Sequence, residues 1–204
     1  MLDIISSMMD TQPTDLNRRI AGRVRELRTS RGLSLDALAE RSGVSRSMIS
    51  LIERGESSPT AVLLERLAIG LSVPLASLFD APPGDGAEPV ARCADQPQWR
   101  DPGSGYVRRN VSPGGFPSPI RIVEVEFPAG ARVAFDTGAR DVRVHQQVWV
   151  LAGTIEVAVG ESSRRLETGD CFAFLLDRPT AFRNPTRKPA RYAVVIVSEP
   201  GLTR

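Results

Sequence analysis

Histidine and cysteine are almost missing from this chain: among 204 residues there is a single histidine, His145, and two cysteines, Cys93 and Cys171. The cysteines form neither a CxxC pair nor a Cys/His spacing, which argues against a zinc module. Two cysteines in a chain of this length also do not make a disulfide framework. No stretch approaches the ~20 consecutive apolar residues that a membrane-spanning helix needs. Residues 1–13 lack the basic start and apolar run of a secretory signal. The expectation is a cytoplasmic protein. A formal net charge of +2 points to no partner by itself. With 41% hydrophobic and 25% charged residues, the composition is that of a soluble globular chain and not of a disordered one.

What is present is unevenly placed. Between positions 18 and 31 stand six arginines (Arg18, Arg19, Arg23, Arg25, Arg28, Arg31) and one acid, Glu26. Such a stretch is the electrostatic footprint expected beside a polyanion, although a solvated helix face would look the same. The hydrophobic period also changes. Ile20, Val24, Leu27, Leu35, Leu38, Ile49, Ile52, Val62, Leu63 and Leu67 recur at helical spacing, whereas Ile120, Ile122, Val123, Val125, Val148, Val150, Ile155, Val157 and Val159 alternate or cluster as in strands. Between the halves, DAPPGDGAEPV at 80–90 has the Pro, Gly and acid content of a linker. The organisation read from this is a flexible tail over 1–14, a helical head over 15–79, a linker over 80–98 and an all-β body over 99–204.

Caps and stops define the head. Asp15 opens a first helix reaching about Ser30, and Gly32 follows it. Ser34 caps a second over Leu35–Ser42, which Gly43 ends, and Ser45 caps a third over 46–54 before Gly55. Thr60 after Pro59 opens a fourth to about Leu71, and Pro74 starts a short fifth. Two short helices joined by Ser42-Gly43-Val44 read as a helix-turn-helix: the glycine permits a left-handed turn, Val44 plugs the angle, and Ala39 lets the axes approach. Leu38, Val44, Ile49, Ile52, Leu63 and Leu67 are the expected core.

The run LDALAERSGVSRSMISLIERG at 35–55, with SPT at 58–60 and LERL at 64–67, closely resembles the XRE family of phage-repressor-like DNA-binding domains. The resemblance covers about residues 16–79. It implies that the helix beginning at Ser45 enters the major groove of double-stranded DNA. Arg46 and Ser47 then match the principal base-reading positions, with Ser50 and Leu51 one turn on. Arginine can form two parallel bonds to guanine, so Arg46 is the first choice for sequence readout, with a phosphate contact as the alternative. Ser34, Leu35 and Ser45, at helix N-termini, are placed to hold phosphates. Arg54 is a further phosphate contact or a helix C-terminal cap. Arg28 and Glu53 match a structural ion pair of the family.

In the body, VWVLAGTIEV at 148–157, LETGD at 166–170, Pro179 and FRNP at 182–185 resemble the two motifs of the cupins. The resemblance implies a double-stranded β-helix, or jelly-roll, barrel. Many cupins hold a divalent metal through two or three histidines and a glutamate. Here the glutamate position falls on Gln146 and the late histidine on Thr180, and the paired-histidine positions fall within 139–142, which hold Asp141 but no histidine. Asp141 and His145 alone offer too few ligands for a stable site. No metal and no cofactor are therefore expected, and His145 is a hydrogen-bonding group near the barrel mouth or a surface residue.

The remaining expectation is a barrel that binds a small organic effector through Gln146, Val148, Phe172, Phe174, Thr180 and Phe182. A solid core filled by side chains is the alternative. Trp149, on the opposite face, suits a homodimer contact. The functional expectation is a DNA-binding transcriptional regulator whose barrel dimerises and senses a small ligand. A constitutive regulator with a structural barrel is the alternative. The same layout also occurs in an iron-dependent epoxidase of phosphonate metabolism, but this chain lacks its metal ligands and shows no other nucleophile–base pair, so an enzyme is not expected.

Overall fold

The computed structural model describes residues 15–79, 88–136 and 142–200. The expected tail over 1–14, the first part of the expected linker at 80–87, and Asp141 lie outside the described residues.

Four α-helices come first: α1 Asp15–Ser30, α2 Leu35–Ser42, α3 Arg46–Glu53 and α4 Ala61–Gly70. The last three start where a hydroxyl closes the first turn. Ser34 accepts from the N–H of Ala37 at 3.0 Å, Ser45 from Met48 at 3.3 Å, and Thr60 from Leu63 at 3.3 Å. Gly43 ends α2 at φ +65°, and its N–H donates back to the carbonyl of Ala39. The fifth helix expected from Pro74 is instead a 3-10 turn, Leu75–Leu78. Only four residues wind before Phe79 takes up other contacts, which suits a short i→i+3 turn.

The faces buried by these helices meet in one core. Ile20, Val24, Leu38, Ile49, Ile52 and Leu67 are buried as the period requires, and Val44 fills the turn. Leu63 is only half-buried, whereas Leu64 is fully buried. The inward face of α4 is therefore centred on Leu64, Leu67 and Ala68, with Leu63 packed at its edge. Helices α2 and α4 touch at Gly70, where a Cβ would lie 2.9 Å from that of Ser42 and 3.1 Å from Leu38 Cδ1.

The body contains β1 Gln98–Arg100, β2 Val107–Asn110, β3 Ile120–Phe127, β4 Arg132–Phe135, β5 Val142–Ala152, β6 Thr154–Val159, β7 Ser162–Glu167, β8 Cys171–Leu175, β9 Thr180–Arg183 and β10 Ala190–Pro200. They form a six-stranded sheet in the order β1-β2-β3-β10-β5-β8 and a four-stranded sheet in the order β4-β9-β6-β7. Alternation sets the faces. On β5, Val144, Val148 and Val150 are buried, while His145, Gln147 and Trp149 are exposed. Val123, Phe127 and Val148 from the larger sheet meet Ile155, Val157 and Phe182 from the smaller one in the barrel core.

Head and body are fastened together rather than strung apart. Trp99, on β1, is buried edge-on between Phe79 of the head (5.5 Å) and Tyr106 (5.8 Å). The line of rings continues through Phe127, Tyr192 and Phe182 into the barrel. The guanidinium of Arg108 lies 4.4 Å above the Phe79 ring, and the Asn110 amide donates to the Phe79 carbonyl at 3.3 Å. Asp101 is 3% exposed. One of its oxygens accepts from the backbone N–H of Ala61, at the start of α4, at 2.9 Å. The other accepts from the N–H and hydroxyl of Ser104. A carboxylate from the body thus sits at the positive end of a head helix.

Candidate nucleic-acid interface and barrel cavity

Helix α3 divides cleanly. Ile49 and Ile52 are buried against the head, while Arg46 and Ser47 are exposed and Ser50, Leu51 and Met48 are half-exposed on the outward side. The hydroxyls of Ser45 and Ser47 lie 3.2 Å apart at its start, beside exposed Ser34 at the start of α2 and half-exposed Leu35. These adjacent N-termini make a patch rich in backbone N–H groups. Arg46 projects from it, two-thirds exposed, with its Nε 3.4 Å from exposed Asp36.

Two arginines are held more firmly. Arg28 donates to both carboxylate oxygens of Glu53, at 2.6 and 2.9 Å, and to the carbonyl of Leu33. It ties α1 to α3 and fixes the angle of the outward helix. Arg54 donates to both oxygens of Glu56, at 2.8 and 2.7 Å, and to the Ser50 hydroxyl. That hydrogen bonding holds the Glu56 carboxyl below its ordinary pKa range, so the pair stays ionised at neutral pH. To touch a phosphate, Arg54 must first let go of Glu56. Among the basic residues of α1, Arg23 is also turned inward, donating to the Ser77 carbonyl at 3.2 Å, whereas Arg18, Arg25 and Arg31 are exposed.

Within the barrel lies a cavity of about 80 Å³. Gln146, Thr180 and Phe182 line it as expected from alternation. Val148, Phe172 and Phe174 were expected there and do not line it. All three, like Gln146, belong to the stretch where β5 pairs with edge strand β8. Val148 is fully buried in packed core, and the Phe172 and Phe174 rings pack on each other at 5.2 Å. The cavity lies toward β2, β3, β10 and the smaller sheet instead, where Tyr106, Arg108, Phe127 and Tyr192 reach it. Its remaining wall comes from the head: Glu65 on α4 and Pro74, Leu75 and Ala76. The expectations missed this wall because nothing in a strand pattern says which helix covers a barrel. One signal was present, a lone acid, Glu65, inside the apolar run AVLLERLAIG of α4.

Burial pushes the phenols of Tyr106 and Tyr192 well above their ordinary pKa, so both stay protonated donors. The donor set does not suit a metal. Among the described residues, no histidine, cysteine or aspartate lines the cavity, and no group of three such ligands occurs. His145 points outward, with its Nε2 3.7 Å from Glu199. Among the described residues, no helix is long and apolar enough to cross a membrane.

A helix-turn-helix with an outward third helix, joined to a double-sheet cupin-type barrel, is a layout that suits a DNA-binding transcriptional regulator. Comparison with known proteins agrees. Residues 24–78 match the HTH_3 helix-turn-helix family. The chain is 30% identical over 170 residues to the HTH-type transcriptional regulator SutR of Escherichia coli (strain K12), covering 83% of this chain and 89% of that one. A crystal structure of an HTH_3 family transcriptional regulator from Vibrio cholerae superposes with a TM-score of 0.68 at 27% identity, covering 89% and 96% of the two chains. Hydroxypropylphosphonic acid epoxidase from S. wedmorenis superposes at only 0.46 and 18% identity, too distant to carry a function. The chain belongs to the XRE-type helix-turn-helix transcriptional regulators.

Proposed function

We propose that residues 15–79 read double-stranded DNA in the cytoplasm, and that residues 99–204 form the unit that pairs two copies and senses a small organic effector without metal. The DNA reading rests on one observation: α3 buries Ile49 and Ile52 and turns Arg46, Ser47 and Ser50 outward. In this reading Arg46 bonds a guanine edge in the major groove while Ser47, Ser50 and Leu51 touch neighbouring bases. Ser34, Leu35 and Ser45 hold phosphates on the two helix N-termini. Arg54 takes a further phosphate after exchanging Glu56 for it.

Pairing is assigned to the outer face of the six-stranded sheet. Trp149 is 50% exposed there, in register with Ala193 on one side and Cys171 on the other. Ile122 (36% exposed) lies two strands away, across from Val195. An exposed tryptophan with an exposed isoleucine on the same sheet face suits a two-fold contact. Such a dimer would offer two α3 helices to half-sites about one helical turn, ~34 Å, apart.

The competing reading is a constitutive regulator with a structural barrel. The modest cavity of about 80 Å³ favours it. Native mass spectrometry of freshly purified protein separates the two. A dimer carrying a non-metal adduct supports the sensing barrel. A dimer with no adduct, whose DNA affinity no small metabolite changes, supports the structural one. A monomer would remove the pairing face.

A further inference from the structure

Among the described residues, five large apolar side chains stand well out from the surface: Val90, Phe116, Ile120, Ile122 and Trp149. Three of them share the outer face of the six-stranded sheet. Trp149, Ile122 and Ile120 lie opposite Ala193, Val195 and Val197, which alternate along β10 and so point the same way. Ile122 also borders a second pocket, of about 300 Å³, beside the junction of head and barrel. Phe79 and Arg19 of the head form part of its wall, with Val90, Arg92 and Pro97 from the chain that leads into β1. Val90 is 48% exposed on that wall. Exposed Val90 and Ile122 thus mark one concave patch at the end of the row that begins with Trp149.

Size and chemistry indicate what this pocket takes. An engineered cavity of ~150 Å³ admits benzene, so a space of about 300 Å³ has room for a fused pair of rings. Phe79, Val90 and Ile122 offer apolar contact, and the guanidiniums of Arg19 and Arg92 can lie over an aromatic face. Glu88 and Asp95 supply acceptors for an N–H. An indole meets all three demands, and this chain displays one on the same sheet. Trp149 cannot enter its own pocket: Ile122 lies two strands across, roughly 10 Å, and two residues along, roughly 7 Å, from it. A second copy can bring it there. With the two-fold axis in the contact plane, passing over β10 midway between Trp149 and Ile122, each position meets the other's counterpart.

Building on the pairing face assigned above, we propose that two copies pair by exchanging tryptophans. Trp149 of each seats in the junction pocket of the other, between Val90, Ile122 and the guanidiniums of Arg19 and Arg92. A tryptophan closed into a pocket with arginine beside it has the composition of an interface anchor. Because Arg19 and Phe79 belong to the head, the contact also sets where the second barrel lies against this head. The spacing of the two α3 helices then follows from the same contact that holds the dimer.

The test is sedimentation equilibrium of the full-length protein with two variants, Trp149→Ala and Val90→Trp. The first removes the inserted ring, and the second fills the pocket from its own chain. Both positions are exposed, so circular-dichroism melting should show the fold unchanged. Each variant alone is expected to weaken the dimer by about a hundredfold, roughly tenfold for each of the two symmetric contacts. An equimolar mixture of the two is expected to pair about tenfold more tightly than either alone, because the mixed dimer keeps one intact contact. Val90→Trp pairing as tightly as the unaltered chain overturns the pocket and leaves pairing through the sheet face standing. Loss in both variants with no recovery on mixing also overturns it, since Trp149 and the pocket then do not meet. Trp149→Ala pairing normally overturns the anchor. An unaltered chain that is monomeric removes the pairing face itself.

Discussion

The helical head and the barrel carry their candidate sites in opposite ways. The head presents a surface: its outward residues lie within a few turns of chain, 34–54, and each is placed by the helix that bears it. The barrel encloses a space whose walls come from the head, from β2 to β5, and from β9 and β10. A polymer such as DNA is read by a protruding helix, which short-range capping and one ion pair, Arg28–Glu53, suffice to aim. A small molecule has to be surrounded, so its site depends on how distant segments close on each other. Local sequence specifies the first kind of site. Tertiary packing specifies the second.

The sharpest way to break that contrast is Phe127→Ala. Phe127 is fully buried, lines the cavity and continues the row of rings that ends at Phe79 of the head. Its loss is expected to cost about 3–5 kcal/mol, measured by denaturant unfolding, and to lower the stability of the head along with the barrel. A head that keeps its own unchanged transition would show the two halves to be independent. Asp101→Ala comes next, at about 2–3 kcal/mol, because it strips a buried acceptor from the Ala61 N–H and from Ser104. It should also separate circular-dichroism melting of the helices from that of the barrel.

Arg46→Ala addresses the surface site alone. It is expected to weaken operator binding by about 1–3 kcal/mol and to relax preference at one base pair, with melting unchanged. Equal loss on random DNA would make Arg46 a phosphate contact. Glu56→Ala should release Arg54 and tighten DNA binding by roughly twofold at low salt, an effect that fades as salt rises. Its carboxyl is held below the ordinary range by Arg54, so acidification into and below that range should reproduce the release without mutation. The smallest expected effect is none: a chelator should leave both DNA affinity and melting temperature where they were. A clear fall in melting temperature would restore a metal site to consideration.

These contrasts also explain what the sequence disclosed. Ser34, Ser45, Thr60 and Gly43 mark helix ends by bonds to residues at most four positions away, and such bonds are written locally. The alternation of β5 likewise placed Gln146 inward and Trp149 outward. It could not separate Val148, which fills packed core, from Gln146, which borders a cavity, because both face the same way. Phe172 and Phe174 were misplaced for a related reason. Their strand is the edge of the six-stranded sheet, and edge position is a property of topology. Arg108 and Glu65 went unnoticed as wall residues because they come to one space from segments far apart in the chain. Leu64 was passed over in favour of Leu63 because the pattern of α4 is apolar on most sides.

The chain has only two tryptophans, and they occupy opposite environments. Trp99 is 2% exposed at the head–barrel junction, with its indole Nε1 buried and unbonded, whereas Trp149 is 50% exposed on the outer sheet face. Their fluorescence should therefore differ in colour, blue-shifted from Trp99 and red-shifted from Trp149. Unfastening the head would redden the first emission and leave the second alone. Pairing through the sheet would do the reverse, moving the second toward the blue. The protein thus contains its own two-channel optical gauge, one channel for internal docking and one for self-association, and single Trp→Phe substitutions would isolate each.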